Sequence, residues 1–520
     1  MQSAMKPVLF AALLASVAAQ GNSTAFPPGW NGEAASPPMG WRSWNAFGAG
    51  ITAQTFRTAV DEITAKMWEV GGKKVSLADV GYNRVGIDEG WENCSGTDPN
   101  HGLRQHDVDG FPMIDTQKFP DMKALVDYGH AANVKMGWYL NGCACGERQE
   151  RKLNYQGDVQ RLSEFGFDAV KFDGCGAATN MTLYADLMQK TGKTYEVENC
   201  HWGSCGADAW YHNPDGSSCP TATWCPFNHF RTSGDVNAGL TSWFANLQST
   251  IKFQDVENPL SVPSCWAYPD MMEVGRITGG SFAWSRAHFG AWCVVSAPLI
   301  LGLDLSDTAT LASIVPFITN AEAIAVNQQW AGHPGRLATQ QFPTPAGWTH
   351  SDGALQKGLD RPGWPKNATL ADAQAACVAD DGCGGITYQS PDPAPKGALK
   401  MYLKDFGDNE NAGANWTSYT RASPAQVWVK PQPKGALAVY IVNPATAGKA
   451  VAVSVDFGTL GLPKGTTAVA VRDVWSRQNI GDASGGVLKA TVEPLDSAFL
   501  LLTPKATVEP LLTKRNYSSQ

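Results

Sequence analysis

The sequence predicts an α/β protein: a (β/α)8 TIM barrel followed by an inserted small Cys-containing module and a C-terminal antiparallel β-sandwich. Three observations carry this. Over residues 37–335, short apolar or β-branched runs alternate with segments such as FPDMKALVDYGHAANV, whose apolar residues recur at three and four. Acidic residues follow several of the short runs. From Val427 onward the pattern is strands only: VWVK, ALAVYIV, AVAVSVDF, TAVAVRDVW and SAFLLLTP, separated by turn residues.

Ahead of the barrel, Lys6 precedes the apolar run PVLFAALLASVAA, which ends in small residues at Val17 and Ala19. That is a secretory signal over residues 1–19, too short to span a bilayer. Sequons at Asn22, Asn93, Asn180, Asn367, Asn415 and Asn516 agree with a secreted, glycosylated chain. No later stretch reaches the ~18 apolar residues of a membrane span. In an oxidising compartment the 12 Cys read as disulfides before metal or redox chemistry. The 40 Lys+Arg against 48 Asp+Glu leave a net charge of −8, with no block of five like charges, which argues against nucleic acid as a partner.

In the barrel, the runs NRVGI, VKMGWY, DAVKF and TYEVE read as strands, and about eight βα units fit in about 300 residues. Asp88 and Glu89 follow one strand, Asp173 ends another, Glu198 a third, Arg231 and Asp235 a fourth, and Asp270 a fifth. Carboxylates at the C-terminal ends of several strands converge on one face, where barrels build their sites. Trp44, Trp91, Tyr139 and Trp202 keep them company. After Pro343 a Gly-, Asp- and Pro-rich module over 343–425 holds Cys377 and Cys383, and the sandwich occupies 426–505. KATVEPL occurs twice, at Lys489 and again at Lys505, as a local duplication.

Other chemistries fail on residues. GKT at Gly192 has Leu187 where a phosphate loop needs its first glycine, Cys143-Ala-Cys145 lacks a second metal-binding half, and no G-x-S-x-G elbow occurs. Paired carboxylates among aromatic residues in a secreted barrel suggest glycoside hydrolysis, with one carboxylate as nucleophile and a second as proton donor. Such a reaction needs neither metal nor cofactor.

The successive blocks PPMGWRSWNAFG, GYNRVGIDEGW, KMGWY, VKFDGC, ENCHWG, FRTSGD, YPDMMEVG, SAPLILGLDL and AIAVNQQ resemble, in order, those of glycoside hydrolase family 27, the α-galactosidases and α-N-acetylgalactosaminidases. The resemblance implies Asp173 as nucleophile and Asp235 as acid/base. It implies Trp44 against the apolar side of a sugar, Asp88 and Glu89 on its hydroxyls, and Tyr139, Lys171, Arg231 and Asp270 completing the pocket. Lys171, two residues from Asp173 on one strand face, favours the ionised form a nucleophile needs. The implied partner is a galactose-containing oligosaccharide, polysaccharide or glycoconjugate.

Two departures bear on substrate. Where the family usually has a second Asp, this chain has Glu89, whose extra methylene, worth about 1 Å of reach, crowds a C6 hydroxymethyl. A β-L-arabinopyranoside lacks that group. In ENCHWG the carboxylate expected against the C2 substituent is replaced by His201, or is supplied by Glu198, which leaves the α-N-acetylgalactosaminidase alternative open. A sugar-binding barrel without activity is the non-enzyme alternative. The resemblance also implies bridges from Cys175 to Cys143 or Cys145 and from Cys200 to Cys225. It places a further bridge at Ala49 and Gly90, where both cysteines are absent together. AQAACVADDGCGGITY, from Ala373 to Tyr388, loosely resembles PAN/apple-like modules.

Overall fold

The computed structural model describes residues 26–98, 102–200, 220–343, 347–355, 360–405, 409–410 and 415–505. The expected leader, Asn22, Asn516, His201 and Trp202, and the second KATVEPL copy beyond its first residue, lie outside the described residues.

Eight parallel strands form the barrel: β1 Met39–Arg42, β2 Arg84–Gly86, β3 Lys135–Leu140, β4 Ala169–Asp173, β5 Glu196–Cys200, β6 His229–Arg231, β7 Trp266–Tyr268 and β8 Leu299–Leu301. From β1 to β7 each strand pairs with the next in chain order. The ring closes because β8 returns to β1, Met39 opposite Leu299, while Met272 beyond β7 bridges Leu301. Helices α1 Ala53–Thr64, α2 Met122–Ala131, α3 Lys152–Phe165, α4 Met181–Lys190, α5 Ser242–Gln248, α6 Phe282–Val294, α7 Thr308–Ile318 and α8 Ala321–Gln328 connect or follow the strands. Their starts are written locally. Asp121, Asn180, Ser281, Asp307 and Asn320 each accept a first-turn backbone N–H, satisfying donors that a helix otherwise leaves unpaired. In α1 the buried residues Phe56, Ala59, Val60 and Ile63 recur at three and four, so one stripe faces the barrel. Among the described residues no single helix is long and apolar enough to cross a membrane.

A large part of the tryptophan excess is core. Trp41, Trp91, Trp138, Trp243, Trp284 and Trp292 are fully buried. Trp91, expected among the carboxylates, instead packs 4.8 Å from the Trp138 ring and donates its indole N–H to the Tyr139 carbonyl at 2.9 Å.

The C-terminal sheet has six antiparallel strands, in spatial order Arg336–Gln341, Ala425–Pro431, Leu437–Asn443, Asp496–Pro504, Ala468–Asp473 and Gln478–Ser484. A second layer pairs Val451–Asp456 with Val487–Val492. Valines and leucines such as Val439, Val453, Leu488 and Leu502 fill the space between. The first of the six strands precedes the expected sandwich, and Gln341 lies opposite Ala425 across the ladder. The Cys-containing module is therefore threaded between two neighbouring strands. It forms its own five-stranded antiparallel sheet, with Thr417–Arg421 and Gly385–Tyr388 at its centre. Helix Leu370–Ala379 lies against that sheet and is fastened by Cys377–Cys383. A separate small core of Ala373, Ile386, Tyr388, Met401 and Leu403 fills it.

Barrel and sandwich are welded along α6. Tyr440 donates its hydroxyl to the Ala287 carbonyl at 2.6 Å, Arg286 meets Asp496 at 2.8 Å, and Arg472 grips Glu322 through two nitrogens at 2.6 and 2.7 Å. Lys430, buried against the Val326 and Asn327 carbonyls near the C-terminus of α8, is pushed down by burial to about 7. Gly290 lets the helix touch the sheet, since a Cβ there would come within 2.7 Å of both Trp475 and Tyr440. Gly290→Ala is therefore expected to lower the melting temperature. The gain of about 1 kcal/mol in helix propensity is outweighed by overpacking of roughly 1–3 kcal/mol. A melting curve unchanged or raised would show that the interface yields.

Candidate active site

The barrel rim assembles the predicted residues from seven of its strands. Trp44 opens a short helical turn directly after β1, and Asp88 and Glu89 follow β2. Tyr139 lies in β3, Lys171 and Asp173 alternate on β4, and Glu198 lies in β5. Arg231 ends β6, Asp235 stands four residues on, and Asp270 follows β7 by two. Lys171 is register partner of both Tyr139 and Glu198, and Glu198 of His229, which sets one layer beneath the rim.

In that layer charges alternate in sign. Lys171 Nζ lies 2.9 Å from Asp88 Oδ2, Arg42 lies 3.1 Å from Glu198 and 3.7 Å from Asp88, and His229 Nε2 lies 3.4 Å from Glu198. Burial works against the Lys171 ammonium, but Asp88 and its fellow anions win and hold it well above the ordinary lysine range. For Glu198 burial is likewise overcome, chiefly by Arg42, and the carboxylate stays ionised far down the acid range. Arg42 and His229 both engage Glu198 Oε2 from beneath the site. His201, the other residue expected against a C2 substituent, lies outside the described residues.

Asp173 is held from three directions. Its Oδ2 accepts from the Tyr139 hydroxyl at 2.6 Å, its Oδ1 from the Gly174 N–H at 2.6 Å, and its backbone carbonyl from Asn141 Nδ2 at 2.6 Å. Asn141 in turn accepts from Ala178 N–H at 2.8 Å, so its amide bridges the ends of the loop that follows Asp173. The Tyr139 hydroxyl also lies 3.5 Å from Glu89 Oε1, which accepts from the Ala144 N–H at 2.6 Å. Burial raises Asp173 above the ordinary aspartate value even though Lys171 and Tyr139 oppose it. Burial raises Glu89 too, against the Ala144 and Cys143 N–H groups.

Across the mouth, Arg231 Nη2 stands between Asp270 at 2.9 Å and Asp235 at 3.0 Å. Asp270 is buried and accepts from the Val236 N–H at 2.8 Å, so it also fixes the backbone beside Asp235. Burial pushes Asp270 up to about 6 despite the guanidinium. Asp235, whose side chain is 53% exposed, is held below its ordinary value because Arg231 and Lys171 outweigh its burial.

The disulfides fasten the rim loops. Cys143 pairs with Cys175, joining the loop after β3 to the loop after Asp173, and Cys145 pairs with Cys94. The expected Cys200–Cys225 bridge does not form. Cys225 pairs with Cys265, just ahead of β7 at the bottom of the barrel, whereas Cys200 ends β5 at the top. Cys200 is a buried free thiol 3.5 Å from Arg231 Nη1. Ala49 and Gly90 do lie against each other: a Cβ on Gly90 would come within 2.5 Å of the Ala49 carbonyl oxygen.

Sequence reasoning missed Arg42, Asn141 and a buried triad behind the disulfide loop. His106 Nδ1 contacts Glu147 Oε2 at 2.9 Å and Nε2 contacts Asp158 Oδ1 at 3.0 Å; Tyr184 donates to Asp158 at 2.7 Å. Arg42 was legible as a cation ending a buried strand; nothing in the sequence joins His106 to Glu147.

The barrel matches the family described as Alpha galactosidase A over residues 36–329, and residues 422–502 match the Alpha galactosidase C-terminal beta sandwich domain. Among curated relatives, an α-galactosidase of Oryza sativa subsp. japonica is 31% identical over 348 residues, covering 62% of this chain and 74% of the relative. Among solved structures, the α-galactosidase from Saccharomyces cerevisiae with raffinose superposes with a TM-score of 0.63 at 19% identity, covering 92% of this chain and all of that one. A β-L-arabinopyranosidase from Geobacillus stearothermophilus in complex with arabinose gives 0.59 at 15% identity, over 91% and 98%. The chain belongs to the α-galactosidase family, glycoside hydrolase family 27, and is a glycoside hydrolase.

The His106 triad has a pH signature. Burial works against the imidazolium, but Asp158 and Glu147 raise it to about 10. A folded value above the unfolded one of about 6.5 gives stability that is full below about pH 6.5 and lost as pH rises through about 10. The melting-temperature gap between wild type and His106→Gln is expected to be widest at pH 6 and to shrink steadily toward pH 10. A gap independent of pH would show that His106 is neutral in its cage.

Proposed function

We propose that the chain is a secreted, retaining exo-glycosidase acting on terminal α-galactosyl residues, with Asp173 as nucleophile and Asp235 as acid/base. One observation carries this reading: Asp173 is clamped at both carboxylate oxygens and at its backbone in a rim already rich in sugar-binding groups. Asp173 attacks the anomeric carbon while Asp235 gives its proton to the departing oxygen, leaving a glycosyl ester on Asp173. Water then attacks the same carbon as Asp235 takes its proton, and the ester oxygen leaves, so configuration is retained. Trp44 offers an apolar face to the sugar, and Asp88, Glu89, Lys171 and Arg231 surround its hydroxyls. The leader-like N-terminus and the four disulfides among the described residues support secretion.

Asp235 has to hold a proton, and alone it would not. It shares one guanidinium with Asp270, however, and two carboxylates around a single cation retain a proton as a pair into mildly acidic solution. The alkaline limb of kcat/KM is therefore expected to follow loss of the pair's proton, whose buried member Asp270 is pushed up to about 6, with activity present below that and falling as pH rises through it. The acid limb is expected above the ordinary aspartate value because Asp173 is raised. A plateau extending beyond pH 8 would overturn the shared-proton account.

Glu89 favours a second reading, β-L-arabinopyranoside hydrolysis, because its carboxylate is drawn toward Tyr139 and the Ala144 N–H, where an exocyclic C6 group competes for space. Comparing kcat/KM on p-nitrophenyl α-galactoside and β-L-arabinopyranoside decides between them. Glu89→Asp is expected to move the ratio toward the galactoside by about tenfold or more. Asp173→Ala is expected to abolish hydrolysis of both, by about three orders of magnitude or more. Retention of activity in Asp173→Ala would sink the mechanism.

A further inference from the structure

The loop after β1, which carries Trp44, and the loop after β2, which carries Asp88 and Glu89, meet without a covalent link. Gly90 adopts φ +117°, and the Ala49 backbone occupies the space a side chain would need, so the two main chains are in direct contact. Contact of this kind holds nothing by itself. Lys118, half-buried in the segment ahead of α2, reaches across the seam. Its Nζ donates to the Gly90 carbonyl at 3.0 Å and to the Ala49 carbonyl at 3.2 Å. Its own carbonyl accepts from the Ala53 N–H at 2.9 Å, at the start of α1. Asp115 Oδ1 in turn accepts the Lys118 N–H at 3.3 Å and the Gln117 N–H at 3.0 Å, which holds the lysine backbone in place. Within the loop after β2 itself, Glu92 Oε2 accepts the Gly90 N–H at 2.7 Å. Burial pushes Glu92 up to about 8.

We propose that Lys118 is a positioning residue for sugar binding. By stapling Ala49 to Gly90 it fixes the separation of the Trp44 indole from the Asp88–Glu89 carboxylates, and so the width of the pocket. The inference rests on the functional reading above for the identity of the sugar. Two carbonyls of adjacent loops point at one ammonium, whose remaining functional distance is short: Gly90 directly follows Glu89. Without the ammonium both carbonyls lose a charge-assisted partner, and the loops stay joined through the Asp88 N–H, which donates to Ser43 Oγ at 3.1 Å at the strand ends, and through van der Waals contact at Ala49 and Gly90. The reacting atoms at Asp173 and Asp235 lie on other strands and are not touched, so the loss falls on binding.

The test is steady-state kinetics of wild type, Lys118→Met and Lys118→Arg on the two p-nitrophenyl glycosides, with melting temperatures. Lys118→Met is expected to raise KM about three- to tenfold with kcat within about twofold, the pattern of lost uniform binding. The galactoside-to-arabinopyranoside ratio is expected to change as the pocket loosens beside Glu89. Lys118→Arg, which can still donate to both carbonyls, is expected to recover most of the KM. Unchanged KM with a lowered melting temperature would reduce Lys118 to a structural role and overturn the proposal, as would a fall in kcat alone. Failure of the wild type on both substrates would instead overturn the functional reading, which keeps the two failures apart.

Discussion

A carboxylate buried at a barrel mouth keeps its charge only while a cation stands against it, and here every such cation is shared. Arg42 serves Glu198 and Asp88, Lys171 serves Asp88 and lies near Asp173, and Arg231 serves Asp235 and Asp270. Each ion is affordable only because of the next, since an isolated buried charge is costly and a broken buried pair leaves its partner stranded. The rim is consequently an interdependent set. Its parts come from β1, β2, β4, β5, β6 and β7, so the register of the whole barrel has to be right before any one pair can form.

Around that charged floor the loops are fixed by different means in different sectors. Disulfides hold the loops after β3 and β4, where Tyr139 and Asp173 must meet within one hydrogen bond. The turn between Arg231 and Val236 is held by hydrogen bonds, because Asn246 donates to the Gly234 and Pro269 carbonyls and Asp270 takes the Val236 N–H. Covalent links join the loops after β3 and β4, whereas the turn carrying the half-exposed Asp235 is held by hydrogen bonds alone among the contacts described.

Much of this was legible in the sequence. Strand and helix periods differ so plainly over residues 37–335 that the barrel follows from them, and acidic residues at strand ends indicate which face is the site. Ordered motifs then assign Asp173, Lys171 and Arg231 to the places where they are found together. What escaped depends on contacts between residues distant in sequence and unremarkable in type. Cys225 has no local feature that prefers Cys265 to Cys200; only the fact that one end of the barrel is far from the other decides it. Trp91 sits between site residues in the chain yet points into the core, because a one-residue step in an irregular loop reverses direction without leaving a pattern. The electrostatic balance at Asp235 was equally invisible, since it depends on where one guanidinium points. The sandwich strand Arg336–Gln341 was hidden by the module that separates it from its neighbour.

That separation also says how the module is borne. Because Gln341 and Ala425 face each other across one ladder, the chain departs and returns at a single doorway, and the sheet sees only a long hairpin connection. Closing a longer loop costs only about 0.6 kcal/mol per doubling, so going from a two-residue turn to a segment of this length costs roughly 3 kcal/mol. The module's own core and bridge offset that locally. The domain is thus an appendage in topology, one that a lineage can enlarge, shrink or exchange while the register of the sheet beneath it, and the barrel welded to that sheet, stay as they are.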